Sequence, residues 1–359
     1  MNRRSPAVAP VSDRRPPALA LLAIALVACA PDRAERVEPR AAAQPASLNV
    51  VVAERVWTFE SRAHRAIETP SYQVLTTEPG GVVVDRLPAF LELALNHYTT
   101  TLAPLPRPTR RMETYLLSSR PQWTRVTQRI MGHAAQPYLM IQRGGFAAGG
   151  KGVFWNIGPQ DTFAIASHEG WHQFTQASFR EPLPIWLEEG LATYMEGFRW
   201  GGPGDDRPVF LPWANLERFD TLRAAAQDRS EKSLRPLAEV VTALPQDLVQ
   251  HAGDPALVWY AQVWALAHFL AEGEAGRHRP ALVRLLRDAA QGRLGAALRA
   301  SLGDRAGHSA LGRRVGPEVL LVYVDHDLDR LDAQYRDFIA RVTAVGARDR
   351  VVQGHSPLH

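Results

Sequence analysis

The stretch ASHEGWHQF, residues 166–174, constrains this chain more than any other, because it sets two imidazoles and a carboxylate inside an otherwise apolar run. Phe163, Ala164, Ile165 and Ala166 precede the polar trio, and Trp171, Phe174 and Ala177 lie within and after it. Asp161 or Thr162 offers an N-cap for a helix running to about Ala177. On that helix His168 and His172 share one face a turn apart, and Glu169 sits about 100° further round. A largely apolar helix is one that a fold buries, and buried imidazole and carboxylate groups need partners. A cation would provide them, since the HExxH spacing delivers two ligands and a general base from one rigid element. Composition alone produces such a match in about one chain of this length in fifty, so the surroundings decide its meaning.

A catalytic zinc takes three protein ligands and keeps a position open. The next helical stretch, LPIWLEEGLATYMEG, offers Glu188, Glu189 and Glu196 as the third. HEGWH followed by PIWLEEGLATYME resembles the gluzincin branch of zinc metallopeptidases, whose second helix reads W-L-x-E-G-x-A and supplies a glutamate ligand. Matched residue by residue, Trp186 to Ala192 places that ligand at Glu189 and leaves Glu188 in the variable position. The glycine-rich strand preceding HEGWH and the segment YAQVWALAHFL following WLEEG are similar to a group of uncharacterised bacterial lipoproteins with a peptidase-like domain. The likeness spans roughly Gly144 to Leu270.

The resemblance implies a zinc ion on His168, His172 and Glu189, which would acidify water and polarise a substrate carbonyl. It implies Glu169 as the base that takes the proton from that water and returns it to the leaving amine. An oxyanion donor is also needed; Tyr260 is the candidate, with His268 behind it, although both also read as core residues of an apolar helix. Thr193, one turn after Glu189, could bond a ligand, and Glu196 reads equally well as an exposed carboxylate. The strand around Gly144, Gly145 and Phe146 could pair with an extended peptide or merely turn. The expected function is a zinc-dependent peptidase acting on a peptide or protein; the alternative is a catalytically silent lipoprotein that binds or scaffolds.

The N-terminus suggests where such a protein works. Four arginines within the first fifteen residues precede an apolar run from Ala18 to Ala28, too short to span a bilayer comfortably. The run ends at Cys29, the chain's single cysteine, as in a bacterial lipoprotein signal; an ordinary secretory signal is the alternative. The expectation is a signal over residues 1–28, a lipidated Cys29 facing the periplasm or exterior, and a flexible Ala- and Pro-rich tether over 29–47. Residues 1–28 hold four arginines and one aspartate, so +3 of the chain's +4 belongs to the signal, and the basic balance gives no support for nucleic-acid binding. No P-loop, GxSxG, CxxC or dinucleotide fingerprint is present. His97, His133, His251, His278 and His308 lack ligand spacing.

Elsewhere, LNVVVA from Leu48, YQVLTT from Tyr72 and METYLLSS from Met112 read as strands, and Val82 to about Thr101 and the stretch from Pro121 as helices. Tyr138 to Trp155 reads as two strands around a glycine-rich centre. Helical patterns recur over Leu222–Ala226, Leu237–Leu248, Ala256–Ala271, Ala281–Ala290 and Val319–Val342. The predicted class is α+β: a small mixed α/β part with a sheet over 48–160, a mainly helical metallopeptidase-like part over 161–345, the zinc site between them, and a tail over 346–359.

Overall fold

Strands come first because the early segments alternate apolar and polar residues, whereas the later ones repeat at helical spacing. The computed structural model describes residues 50–201, 207–228, 230, 233–249 and 255–358. The expected signal, Cys29, the tether and His251 lie outside the described residues. The chain folds into a six-stranded sheet followed by a mainly helical part.

β1 (Ala53–Phe59), β2 (Arg62–Glu68) and β3 (Tyr72–Thr76) form an antiparallel meander. The helix α1 (Val82–Thr100) crosses over to β4 (Met112–Leu117), which runs parallel to β3. Next come α2 (Arg120–Met131), the short α3 (Gln136–Leu139) and the hairpin β5 (Gly145–Ala148) and β6 (Lys151–Trp155). β6 pairs parallel with β4, and β5 closes the sheet as its edge strand, in the order β1-β2-β3-β4-β6-β5. Gly149 and Gly150 join the hairpin with φ of 58° and 76°, the doubly positive turn that matches strand twist and favours glycine.

Both faces of the sheet are covered. Met112 and Leu116 of β4 and Phe154 of β6 join the main core with α1, while Leu117, Val153 and Trp155 face a second cluster with Trp123, Tyr138 and Phe146. The helical part starts with α4 (Pro159–Ser178) and α5 (Ile185–Met195), then a two-stranded ribbon of β7 (Phe198–Trp200) and β8 (Pro208–Phe210). It continues through α6 (Leu216–Gln227), α7 (Leu237–Thr242), α8 (Pro245–Val249), α9 (Pro255–Gly276), α10 (Arg279–Gln291), α11 (Leu294–Leu302) and α12 (Asp304–Arg313). The last elements are α13 (Glu318–Tyr323), α14 (Leu328–Val342) and α15 (Ala347–Val352). α9 is buried continuously from Trp259 to Ala271, which is why its residues are apolar on all sides. Among the described residues no helix is long and apolar enough to cross a membrane.

Several boundaries differ from the sequence reading. The strand expected at LNVVVA is misplaced: the first strand starts at Ala53, the last residue of that run, and Val51 and Val52 are exposed with no core to meet. Tyr138 and Leu139 are helical, so the hairpin begins only at Gly145. The helices expected over 237–248 and 319–342 each divide in two; Pro245 starts the second helix of the first pair, and Asp327 caps the second of the other.

Candidate metal centre

α4 begins at Pro159 with Gly158 as its N-cap, so neither Asp161 nor Thr162 is the cap. Asp161 instead pairs with Arg143 at 2.6 Å, and Thr162 Oγ1 accepts from the Ile157 amide at 3.0 Å. Every residue from Ile165 to Thr175 is buried. Gln173 ties the helix to the sheet by donating to the Glu113 and Gly150 carbonyls. Glu169 falls on the same helical stripe as Ile165 and Gln173, which turns it towards the sheet, while His168 and His172 turn towards α5.

α5 is buried along its whole length and brings Glu189 to the two histidines. His168 Nε2 and His172 Nε2 are 3.3 Å apart, and Glu189 Oε2 lies 3.5 and 3.6 Å from them. A tetrahedral ion with arms of 2.0–2.1 Å separates its ligands by about 3.3–3.4 Å, so this triangle has the size of one face of such a site. Apart from those two histidine approaches, neither Glu189 oxygen makes a hydrogen bond.

The far sides of the imidazoles are also committed. His168 Nδ1 lies 2.7 Å from Glu196 Oε1, and His172 Nδ1 lies 3.2 Å from Glu188 Oε1. In the neutral form that donates Nδ1–H to its carboxylate, each histidine keeps an Nε2 lone pair, and the two face one another at 3.3 Å. Two such lone pairs repel unless a cation lies between them. Without a cation, burial opposes charge on His168, but Glu189 and Glu196 outweigh it and raise its pKa to about 9. His172 is likewise raised, burial being overcome by Glu189 and Glu188. Glu189 is held down at about 2 because the histidines overcome its burial. The same carboxylates that favour charge on the imidazoles would favour a cation, and the three side chains could hold one.

Glu169 has neither oxygen hydrogen-bonded, and both are buried. Burial raises its pKa to about 7 against the opposing pull of His168 and His172. A buried carboxylate with no partner costs stability unless another role retains it.

Other sequence candidates take different places. Glu188 is the histidine's carboxylate partner and accepts from Thr175 Oγ1 at 2.6 Å as well. Glu196 is not an exposed carboxylate: besides His168 it accepts from Asn215 Nδ2 at 2.6 Å and faces Arg218 at 3.5 Å. Thr193 donates to the backbone carbonyls of Glu189 and Gly190, so it braces the helix and does not touch the ligand's side chain. The Tyr260 ring lies 6.4 Å from the His168 ring, with the Arg218 guanidinium 5.3 Å from its centre. His268 belongs to an aromatic cluster, stacked on Trp213 at 3.8 Å and bonded to Glu272 at 3.0 Å.

Sequence reading missed Asn215, Arg218 and Tyr138. Asn215 and Arg218 lie beyond the β7–β8 ribbon, and nothing in their spacing ties them to Glu196. The Tyr138 hydroxyl is buried, has no hydrogen-bond partner, and feels the Glu169 carboxylate, which together with burial pushes its pKa up to about 12. Two cavities flank the centre. One of about 540 Å³ reaches Tyr138, edge strand β5, Thr175 and Glu188. The other, of about 240 Å³, reaches His168, Glu196, Asn215 and Arg218.

Comparison with known proteins adds a partial family match and no activity. A family described as a protein of unknown function, DUF1570, matches residues 162–293, from the first turns of α4 through α10. That stretch contains His168, His172 and Glu189, which could hold a metal, together with Glu188, Glu196 and α9. No curated protein matches the chain.

Proposed function

We propose that this protein is a zinc-dependent peptidase of gluzincin type. The observation that carries the reading is the triangle of His168 Nε2, His172 Nε2 and Glu189 Oε2, sized for a tetrahedral ion and backed by carboxylates on both histidines. The donor set of two imidazoles and one carboxylate is one of those that hold catalytic zinc. Zinc bound there supplies Lewis acidity, lowering the pKa of water and polarising a carbonyl.

The chain's own residues do the rest. Glu169, free of hydrogen bonds and next to both ligands, takes the proton from the attacking water and passes it to the departing amine. Tyr138, and not Tyr260, takes the oxyanion role, because its buried hydroxyl is unpartnered, neutral over the working pH range and within the field of Glu169, and its side chain lines the larger cavity. Strand β5, on the same cavity, is the edge along which an extended peptide would lie. A silent scaffold has no use for an unpartnered buried carboxylate, which favours the enzyme.

The proposal includes a place in the bacterial envelope, with Cys29 lipidated and the domain facing the periplasm or exterior; Cys29→Ser should release the protein from membranes. The catalytic reading is tested by Glu169→Gln with a mixed peptide library. The variant should keep its zinc and lose hydrolysis, and a variant that still cleaves would refute the base.

A further inference from the structure

Resting on that reading, we propose that the larger cavity is a carboxylate subsite in which Arg314 binds an anionic group of the substrate next to the cleaved bond. The cavity runs from Tyr138 and Thr175 to Glu188, the neighbour of ligand Glu189, and on to Arg180 and Arg314. Its charges divide into used and unused. Glu188 already accepts from His172 and Thr175, and Glu181 accepts from the Gly295 amide at 3.0 Å. Among the described residues, neither Arg180 nor Arg314 forms an ion pair with a carboxylate.

Arg314 is also fixed in place. Its Nε donates to the Leu183 carbonyl at 2.8 Å, and its own carbonyl accepts from the Ile185 amide at 2.8 Å. Both bonds fasten it to the segment leading into α5, two turns or less from the ligand. Its backbone sits at φ 59°, a left-handed conformation that arginine adopts at a cost of about 1 kcal/mol. With Nε committed to the backbone, the terminal guanidinium nitrogens are left for a ligand. Burial works against the guanidinium's charge, Glu188 and Glu189 offset this from beyond ion-pair distance, and a carboxylate is the group that its planar fork matches in direct contact. The carboxylate can come from a peptide's C-terminus or from an acidic side chain.

Three N-acylated peptides that share one sequence up to a neutral last residue separate the cases: a free acid, its C-terminal amide, and an amide in which glutamate replaces that last residue. Zinc-loaded wild type should cleave the free acid or the glutamate peptide about 10- to 100-fold better, in kcat/KM, than the neutral amide. In Arg314→Ala that ratio should collapse towards one, and Arg314→Lys, which keeps the charge and loses the fork, should fall between. A structural strut alone would lower all three peptides equally and leave the ratio unchanged, which would overturn the proposal, as would equal cleavage of all three by wild type. Whichever carboxylate peptide is favoured identifies its source. The same ratio read as Kd on zinc-loaded Glu169→Gln by calorimetry needs no turnover. A carboxylate preference in binding with no cleavage by wild type would sink the peptidase and keep the subsite; cleavage without preference would do the reverse.

Discussion

Glu196 Oε1 lies 2.7 Å from His168 Nδ1, so a carboxylate beyond the end of α5 fixes the tautomer of a histidine on α4. With the proton held on Nδ1, Nε2 must present its lone pair to the centre. Glu196→Gln should therefore lower zinc affinity about 10- to 100-fold with little change in fold, read by competition with a chromogenic chelator. Unchanged affinity would mean that the contact is packing and does not orient the ligand.

The two phenols near the centre are distinguishable. Tyr138 has an unpartnered hydroxyl near Glu169, whereas Tyr260 lies with its ring against His168 and Arg218. Tyr138→Phe should reduce kcat about 100-fold with zinc content unchanged, the usual cost of one oxyanion donor, and Tyr260→Phe should reduce it far less. The opposite ranking would return the role to Tyr260.

The site's backbone was legible in HEGWH and WLEEG because one helix fixes the spacing of His168 and His172, and the next carries Glu189. The division into an early sheet and later helices was legible for the same reason: local periodicity reports local structure. Contacts between distant segments were not. Glu196 looked exposed because one carboxylate near a helix end gives no sign that Asn215, Arg218 and His168 will converge on it. Tyr138 looked like a strand residue because YLMI is apolar at any period. β2 was missed because RAHRAIE is mostly polar on its exposed half, and its pairing turn uses Glu60 and Ser61 at positive φ with no glycine to signal it.

Gly190 follows the ligand Glu189 at the point where α5 meets α9. A Cβ there would stand 2.5 Å from the Val263 carbonyl oxygen, which is backbone and cannot swing aside. Gly190→Ala should destabilise the protein by about 1–3 kcal/mol through overpacking and weaken zinc retention by displacing α5. Thermal unfolding with and without chelator measures both; a Tm equal to wild type would show that the helices are less tightly joined.

Stability should fall on mild acidification through His97. Burial lowers its pKa from 6.5 to about 4, and its ring stacks on Phe210 at 5.0 Å. Above pH 6.5 it is neutral folded or unfolded and has no effect. Between 6.5 and 4 the unfolded chain takes the proton first, so stability is lost as pH falls, reaching about 3 kcal/mol below 4. His97→Gln, which cannot titrate, should lose less stability than wild type between pH 7 and 4 in denaturant titrations. Parallel losses would remove His97 as a cause.

The most direct test is the metal itself. Purified protein exchanged into zinc and freed of excess should hold about one zinc per chain. His168→Ala, His172→Ala and Glu189→Ala should each fail to retain it while remaining folded by circular dichroism. A wild type that stays metal-free, or a Glu189→Ala variant that binds zinc as tightly as wild type, would contradict the assignment of these three residues as ligands.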